Sequence, residues 1–249
     1  MEGLKVLKST QIIILGICFA VATIASTMIL TKGILQLKKM SQEVIEVTGS
    51  AEKKITSDFI MWSASFSVRE AQLKAAYNRL QQDLEKVKKY ILAKGIKESE
   101  LFVLPVSTTK IFKKDSKGNA TNEIESYELS QGMRIESNEV KKVDELSRSS
   151  TELIEQGVQF MSEAPQYFYT KLAELKIQML SEASEDAKKR AVSMANSTGN
   201  KIGVIRQAKM GVFQITPITS TDVSWYGEND TSSLEKKVMA VVSAAFSIE

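Results

Sequence analysis

The stretch VIEVTGSAEKKITSDFIMWSASFSV, residues 44–68, carries the alternating pattern of a β-strand twice. In its second half the even-numbered residues from Ile60 to Val68 are apolar, whereas most odd-numbered residues are serines. Because successive side chains of a strand point to opposite faces, this pattern predicts two strands, each with one buried face. Gly49 is a candidate bulge in the first strand. Only a short break at residues 56–58 separates the strands, so we expect them to form a long hairpin.

From residue 71 the apolar period changes to that of a helix with one buried stripe. Gly95 is placed to cap the end of this helix. The stripe consists of Leu73, Tyr77, Leu80, Leu84, Val87 and Ile91.

The rest of the chain continues to switch between the two patterns. Five further strands are expected, at residues 101–112, 124–136, 158–168, 201–215 and 237–248. Pro165 favours an edge or a terminus for the third of these. Two further helices are expected, one capped by Asn138 and one over residues 170–198. Their inward stripes contain Val140, Val143, Leu146, Ser150 and Leu153, and Leu172, Leu175, Met179, Ala183, Ala187, Ala191 and Met194, respectively.

The order of these elements predicts an α+β fold. From residue 58 it runs strand, helix, strand, strand, helix, strand, which is the order of a ferredoxin-like βαββαβ unit, and a helix and two strands follow. We expect an antiparallel or mixed sheet with helices packed on one face. The alanines of the last helix would let a neighbouring element approach closely. The closing strand places Val238, Val242, Phe246 and Ile248 on one face.

An apolar run without charged residues precedes this domain, starting at Ile12 and ending at Leu30. Nineteen residues at about 1.5 Å each give roughly 28 Å of helix, close to the hydrocarbon thickness of a bilayer. Lys32 lies at the edge of the run, where its ammonium can reach the interface. We therefore expect a cytoplasmic segment at 1–11, a transmembrane signal-anchor helix at 12–31, a stalk at 32–42 and an extracytoplasmic domain at 43–249.

The alternative for this run is a cleaved signal peptide. Lys5 and Lys8 would form its basic region, and Ala20, Val21 and Ala22 its small-residue cleavage site. Positive charges are nearly balanced on the two sides of the run, so the charge pattern alone does not fix the orientation.

The charge of the chain is concentrated around this run. Residues 1–40 hold five basic and one acidic side chain, whereas the remaining residues hold 28 basic and 29 acidic side chains, a net charge of −1. The domain therefore lacks the positive excess that phosphate binding needs, and we expect no nucleic-acid partner.

Two absences from the sequence restrict its chemistry. The chain has no histidine, which removes Ser-His and Cys-His nucleophilic systems and most zinc and iron sites. Its one cysteine, Cys18, lies inside the apolar run, so the domain has neither a disulfide nor a catalytic thiol.

The stretch at 44–68 resembles the opening of the SIMPL-domain family, in which a strand with Val-x-Gly-x-Gly is followed by a short break, usually Pro-Asp, and a second strand. Val47, Gly49 and Asp58 match motif positions, whereas Ser50-Ala51 and Ser57 replace the second glycine and the proline. Four further segments extend the resemblance over about residues 43–249, namely KGIKESEL, YELSQGMRI, EQGVQFMSE and AKKRAVSMANSTGNKIG.

The resemblance implies a bacterial cell-envelope protein, periplasmic or surface-attached. Members of the family include a periplasmic immunogenic protein that builds ring- or channel-like homo-oligomers, and others linked to oxidative-stress tolerance. The family offers no catalytic residues to carry over. We interpret Val47, Gly49 and Asp58 as structural, with Asp58 accepting backbone hydrogen bonds at the turn; a ligand-facing carboxylate is the alternative.

The other chemical motifs of the sequence have simpler explanations. Three Ser-x-x-Lys pairs occur, at Ser50/Lys53, Ser107/Lys110 and Ser233/Lys236. The first two fall on predicted strands, where residues three apart face opposite ways, and the third lacks the other elements of a Ser-Lys hydrolase. The segment after Asp115 is similar to a calcium loop, but Lys117 stands where an oxygen ligand is required, which favours a solvated hairpin tip.

The methionines are spaced like core residues, without a clustered metal-binding pattern. Trp225 and Tyr226 lie in a polar excursion and are either a contact surface or packed on the sheet.

These observations predict a single-pass protein of the inner membrane whose domain faces the periplasm or the cell exterior. We expect a non-enzymatic, cofactor-free protein with a structural or stress-related role that assembles with itself, contacts the lipid bilayer through its apolar run, and also contacts other envelope proteins. A monomeric or dimeric binding module for a protein or small ligand is the alternative, and a Ser-Lys hydrolase is a more distant one.

Overall fold

The structure is a computed structural model that describes the backbone of residues 2–249 and the side chains of residues 13–36, 38 and 43–249. The basic region predicted at Lys5 and Lys8 lies outside the described side chains. The helices are α1 (Glu2–Gln42), α2 (Leu73–Ala93), α3 (Val140–Ser149), α4 (Glu152–Glu155) and α5 (Leu172–Ser197). The strands are β1 (Val44–Thr56), β2 (Phe59–Glu70), β3 (Leu101–Lys114), β4 (Ala120–Ser137), β5 (Gln159–Ser162), β6 (Gln166–Phe168), β7 (Ile202–Met210), β8 (Gln214–Pro217), β9 (Glu228–Asn229) and β10 (Glu235–Ile248).

Helix α1 is continuous through the predicted span and stalk. Its segment Ile13–Gln36 has a mean hydropathy of 2.5 and is entirely exposed. By length and composition this segment can cross a membrane, either as an anchor or as a signal sequence.

The chain divides into two compact units. The smaller comprises residues 1–50, 182–211 and 241–249, and the larger comprises residues 51–181 and 212–240. The strands form two five-stranded sheets. One runs in the order β1-β10-β8-β9, with β7 also paired to β10, and the other runs β3-β4-β2-β5, with β6 also paired to β2.

The larger unit contains the sheet built around β2. Its pairs β3/β4, β4/β2 and β2/β5 are all antiparallel, an order compatible with the predicted split βαββαβ unit. Helices α2 and α3 pack against this sheet and confirm the α+β class. The predicted face of β2 is buried throughout, and the largest fully buried side chains of this core are Trp62, Phe66, Ile60, Leu80, Ile91, Leu129, Met133, Ile135, Leu146 and Leu153.

In the smaller unit, the second half of α5 packs against strands of the other sheet. Ala187 and Ala191 are fully buried beside Val47, Ala244 and Phe246. Short side chains on the helix allow its backbone to approach the strands, as the run of alanines predicts.

The predicted β1/β2 hairpin is wrong, because the two strands belong to different sheets. A two-residue hairpin needs positive φ angles, and the described residues adopt these only at glycines. The backbone of the connection is bonded elsewhere instead. The N–H groups of Ser57 and Asp58 donate to the carbonyls of Leu234, at 2.9 Å, and Phe168, at 3.0 Å.

Three residues predicted to face inward from helices are exposed, namely Leu73, Tyr77 and Met194. On α5 the buried stripe continues every fourth residue, so Ala195 follows Ala191 and Met194 falls beside the stripe. The stripe predicted for the helix after Asn138, from Val140 to Leu153, is buried as expected, although the chain forms two helices there, α3 and α4.

Two predicted strands are each interrupted. The strand predicted at 158–168 becomes β5 and β6, with Pro165 between them. The strand predicted at 201–215 becomes β7 and β8, separated at Gly211, whose N–H donates to the carbonyl of Val241 at 2.9 Å.

Candidate functional site

The motif residues Val47 and Gly49 lie on β1 and face α5. A Cβ on Gly49 would overlap the Ala183 carbonyl and the Ala187 nitrogen and would lie 2.7 Å from Ala187 Cα. Gly49 is therefore explained by the close approach of a helix rather than by the bulge considered from the sequence. The next residue also holds β1 against α5, since the Ser50 N–H donates to Asp186 Oδ2 at 2.9 Å.

The motif residue Asp58 accepts two hydrogen bonds from a single distant residue. Its Oδ1 accepts the Thr170 N–H at 2.7 Å, and its Oδ2 accepts the Thr170 hydroxyl at 2.8 Å. Thr170 lies two residues before the start of α5. The carboxylate thus fastens the β1/β2 connection to the start of a helix 112 residues away, and not to the turn itself.

Trp225 and Tyr226 stand at the corner of a tight turn, and both side chains are almost fully exposed, at 94% and 97%. The Gly227 N–H donates to the Ser224 carbonyl at 3.2 Å, which closes the turn around the two aromatic residues. Gly227 has a φ of +84°, a conformation that glycine adopts without strain. Neither ring packs on the sheet.

A buried glutamine on β8 holds this turn in place. Gln214 Nε2 donates to the Ser224 carbonyl at 2.6 Å, and its Oε1 accepts the Ser224 N–H at 3.3 Å. The Gln214 side chain is only 4% exposed, so its position is fixed by packing. The turn therefore projects two large aromatic rings into solvent from a hydrogen-bonded base, and it is the first candidate contact surface.

Lys236, from the third Ser-x-x-Lys pair, is buried on β10. Its Nζ donates to the carbonyl of Tyr167 at 2.6 Å and to the carbonyl of Asp230. Burial lowers the pKa of this lysine, and the Asp230 carboxylate offsets that effect only in part. The Asp230 carboxylate accepts the Ser232 N–H at 2.8 Å and the Ser232 hydroxyl at 2.7 Å, both at Oδ1. Lys236 thus joins β6 and the segment around Asp230 to β10. Its bonds to two carbonyls account for its burial.

Two further chemical motifs from the sequence have side chains that form structural hydrogen bonds. Asp115 Oδ1 accepts the N–H groups of Lys117 and Asn119, at 2.8 and 2.9 Å, so its carboxylate closes the β3/β4 hairpin tip. These backbone bonds lower the pKa of Asp115. Lys53 Nζ donates to Gln178 Oε1 at 2.9 Å. Among the described residues, no group of three or more acidic or cysteine side chains is placed to hold a metal ion.

The edge strand β7 is the second exposed feature. It pairs with β10 alone among the described strands, and its residues 204–210 are all exposed. Val204, Ile205 and Met210 are 60%, 54% and 56% exposed. Its apolar side chains alternate with Arg206, Gln207 and Lys209, and its open edge offers backbone groups to another chain.

Comparison with known proteins identifies the family of the domain that follows α1. The chain belongs to the SIMPL family, because the family model described as "Protein of unknown function (DUF541)" matches residues 45–246. A search of the curated proteins found no match.

Sequence reasoning missed the residues that support the site. Gln214 sits in a predicted strand with no motif around it, and Thr170 and Asp186 are ordinary polar residues of a helix or its start. The density of serine, threonine and glycine around Trp225 and Tyr226 was the one usable signal, since it indicated a loop, although it left open whether the two rings are exposed or packed on the sheet.

Proposed function

We propose that this protein is a single-pass component of the bacterial cell envelope whose SIMPL domain assembles with further copies of itself into a closed homo-oligomer. Helix α1 anchors each copy in the inner membrane, and the domain lies outside the cytoplasm. The role is structural, connected with envelope stress, and involves no catalysis.

The observation that carries this proposal is the free edge of β7. Seven successive residues, 204–210, are exposed on a strand that pairs with β10 alone among the strands that the structure describes. Soluble monomers usually cover such edges or interrupt them. A second copy seated on this strand would bury its exposed apolar side chains.

Closed assembly requires two different surfaces on each copy, because every interface of a ring joins unlike patches. The chain has a second surface of a different kind, the exposed aromatic turn at Trp225 and Tyr226. The two surfaces together support a repeating assembly better than a symmetric dimer.

Cross-linking of the full-length chain in lipid vesicles tests this function. We expect products larger than a dimer that persist as the protein is diluted in lipid. Ile205→Asp/Met210→Asp should abolish them, whereas the control Ile177→Asp/Met194→Asp, which changes two exposed apolar residues on α5, should not. Monomer alone for the wild-type chain at every dilution would overturn the proposal and favour a monomeric binding module.

A further inference from the structure

We infer that the interface joins the aromatic turn of one copy to the β7 edge of the next copy. This inference rests on the proposed self-assembly and assigns its two contact surfaces. We call residues 222–228 the aromatic turn, and residues 205–210 of β7 the basic edge.

The aromatic turn is built for insertion into a partner. Trp225 and Tyr226 project from a turn that Gln214 fixes through both backbone groups of Ser224. Rigid aromatic rings lose little conformational entropy on binding and are the side chains most often found at the energetic centre of interfaces.

The charge of the aromatic turn is negative. Asp222 and Glu228 flank the two rings and are exposed, and the whole excursion at 216–233 contains no lysine or arginine. Negative flanks oppose insertion into an anionic lipid surface and favour a basic protein partner.

The basic edge offers an apolar shelf. Cross-strand pairing places Met210, Ala208 and Ile205 opposite Val242, Ala244 and Phe246 of β10. The three β10 residues are buried, whereas the three β7 residues are exposed. The apolar surface of the core therefore extends onto β7, where it is open to solvent, and we call this exposed part the shelf. A planar ring can lie on such a shelf.

The charge of the basic edge decides its partner. Arg206 and Lys209 are exposed, β7 carries no acidic residue, and neither side chain forms an ion pair within the part of the chain that the structure describes. Two β7 edges would repel one another if they met. The acidic flanks of the aromatic turn match the two cations, and this complementarity selects a contact between unlike surfaces of two copies.

Complementary variants of the full-length chain in mild detergent test the inference. We expect Trp225→Ala/Tyr226→Ala and Arg206→Glu/Lys209→Glu each to prevent assembly, with dissociation constants raised about 30-fold or more, the effect of losing a central contact. An equimolar mixture of the two variants should give a heterodimer that does not grow, because only one intact turn and one intact edge remain to meet.

Matched controls separate this contact from general damage. Tyr77→Ala removes another exposed aromatic ring, and Lys74→Glu/Lys89→Glu makes the same charge change on α2; both should assemble like the wild type. The inference would be overturned if both test variants assembled like the wild type, or if their mixture stayed monomeric. Self-assembly would then use another surface. A monomeric wild type would instead refute the proposed function, and the inference with it.

Discussion

The side-chain amide of Gln214 holds both backbone groups of Ser224, donating to its carbonyl at 2.6 Å and accepting its N–H at 3.3 Å. Because Gln214 is buried and Ser224 directly precedes Trp225, this pair converts a surface loop into a fixed support. The exposed aromatic rings thus have a defined position although they contact no core residue.

Gln214→Ala should release the turn. We expect the free energy of unfolding to fall by about 1–3 kcal/mol, since two backbone groups lose their partner. Amide hydrogen exchange should become faster across 216–233 and remain unchanged in β2. Gln82→Ala, on the exposed face of α2, is the control and should alter neither quantity. Unchanged exchange in the loop of the Gln214 variant would contradict the support assigned to this residue.

Gly49→Ala should be strongly destabilising. Its Cβ would meet the backbone of α5, which cannot turn aside as a side chain can, so we expect a loss of about 3 kcal/mol. Gly211→Ala is the matched control, because its Cβ would lie 3.4 Å from the Val241 carbonyl, an ordinary contact. Urea denaturation followed by circular dichroism measures both. Equal midpoints for the two variants would refute the close approach.

Asp58→Ala should cost about 1–3 kcal/mol, because two donors on Thr170 lose their acceptor. Thr170→Ser keeps both donors and should be nearly neutral. A thermal unfolding midpoint that falls in the first variant and holds in the second would support a fastening role. Wild-type stability in Asp58→Ala would leave a ligand-facing carboxylate as the better interpretation.

Tyr167 should make the free energy of unfolding depend on pH in the alkaline range. Burial, and its hydrogen bond to Asp144 Oδ1 at 2.6 Å, raise the pKa of this phenol from 10.0 to about 12. The folded state therefore holds a proton that the unfolded state releases, so the contribution is complete below pH 10 and is lost as the pH rises to 12.

The difference in unfolding free energy between the wild type and Tyr167→Phe measures this contribution. It should shrink over that pH range. Asp144→Asn keeps an acceptor but removes the charge, and should reduce the effect. A difference that does not change with pH would show that the phenol titrates alike in both states.

The sequence predicted the strands and helices and their buried faces better than it predicted which strands pair with one another. The alternation from Ile60 to Val68 identified β2 and its buried face, because that pattern depends on the pleat of a single strand. The hairpin prediction failed because pairing depends on distant residues. The Ser57 and Asp58 N–H groups bond to Leu234 and Phe168, which no local pattern indicates.

The two candidate surfaces also differ in how much of each could be predicted from local sequence. The polar excursion around Trp225 and Tyr226 could be named from composition as a candidate contact surface, whereas the hydrogen bonds of Gln214 to Ser224 could not be predicted. The exposure of β7 was also beyond reach, because its alternation resembles that of a covered strand. Only the sheet order reveals that its outer edge is open.

Self-assembly is best tested by the mass of the full-length protein in mild detergent, from light scattering corrected for bound detergent. We expect a wild-type mass that is one defined multiple of 27.6 kDa, larger than two, and a Trp225→Ala/Tyr226→Ala variant that does not reach it. A wild-type mass of 27.6 kDa at every concentration would contradict it.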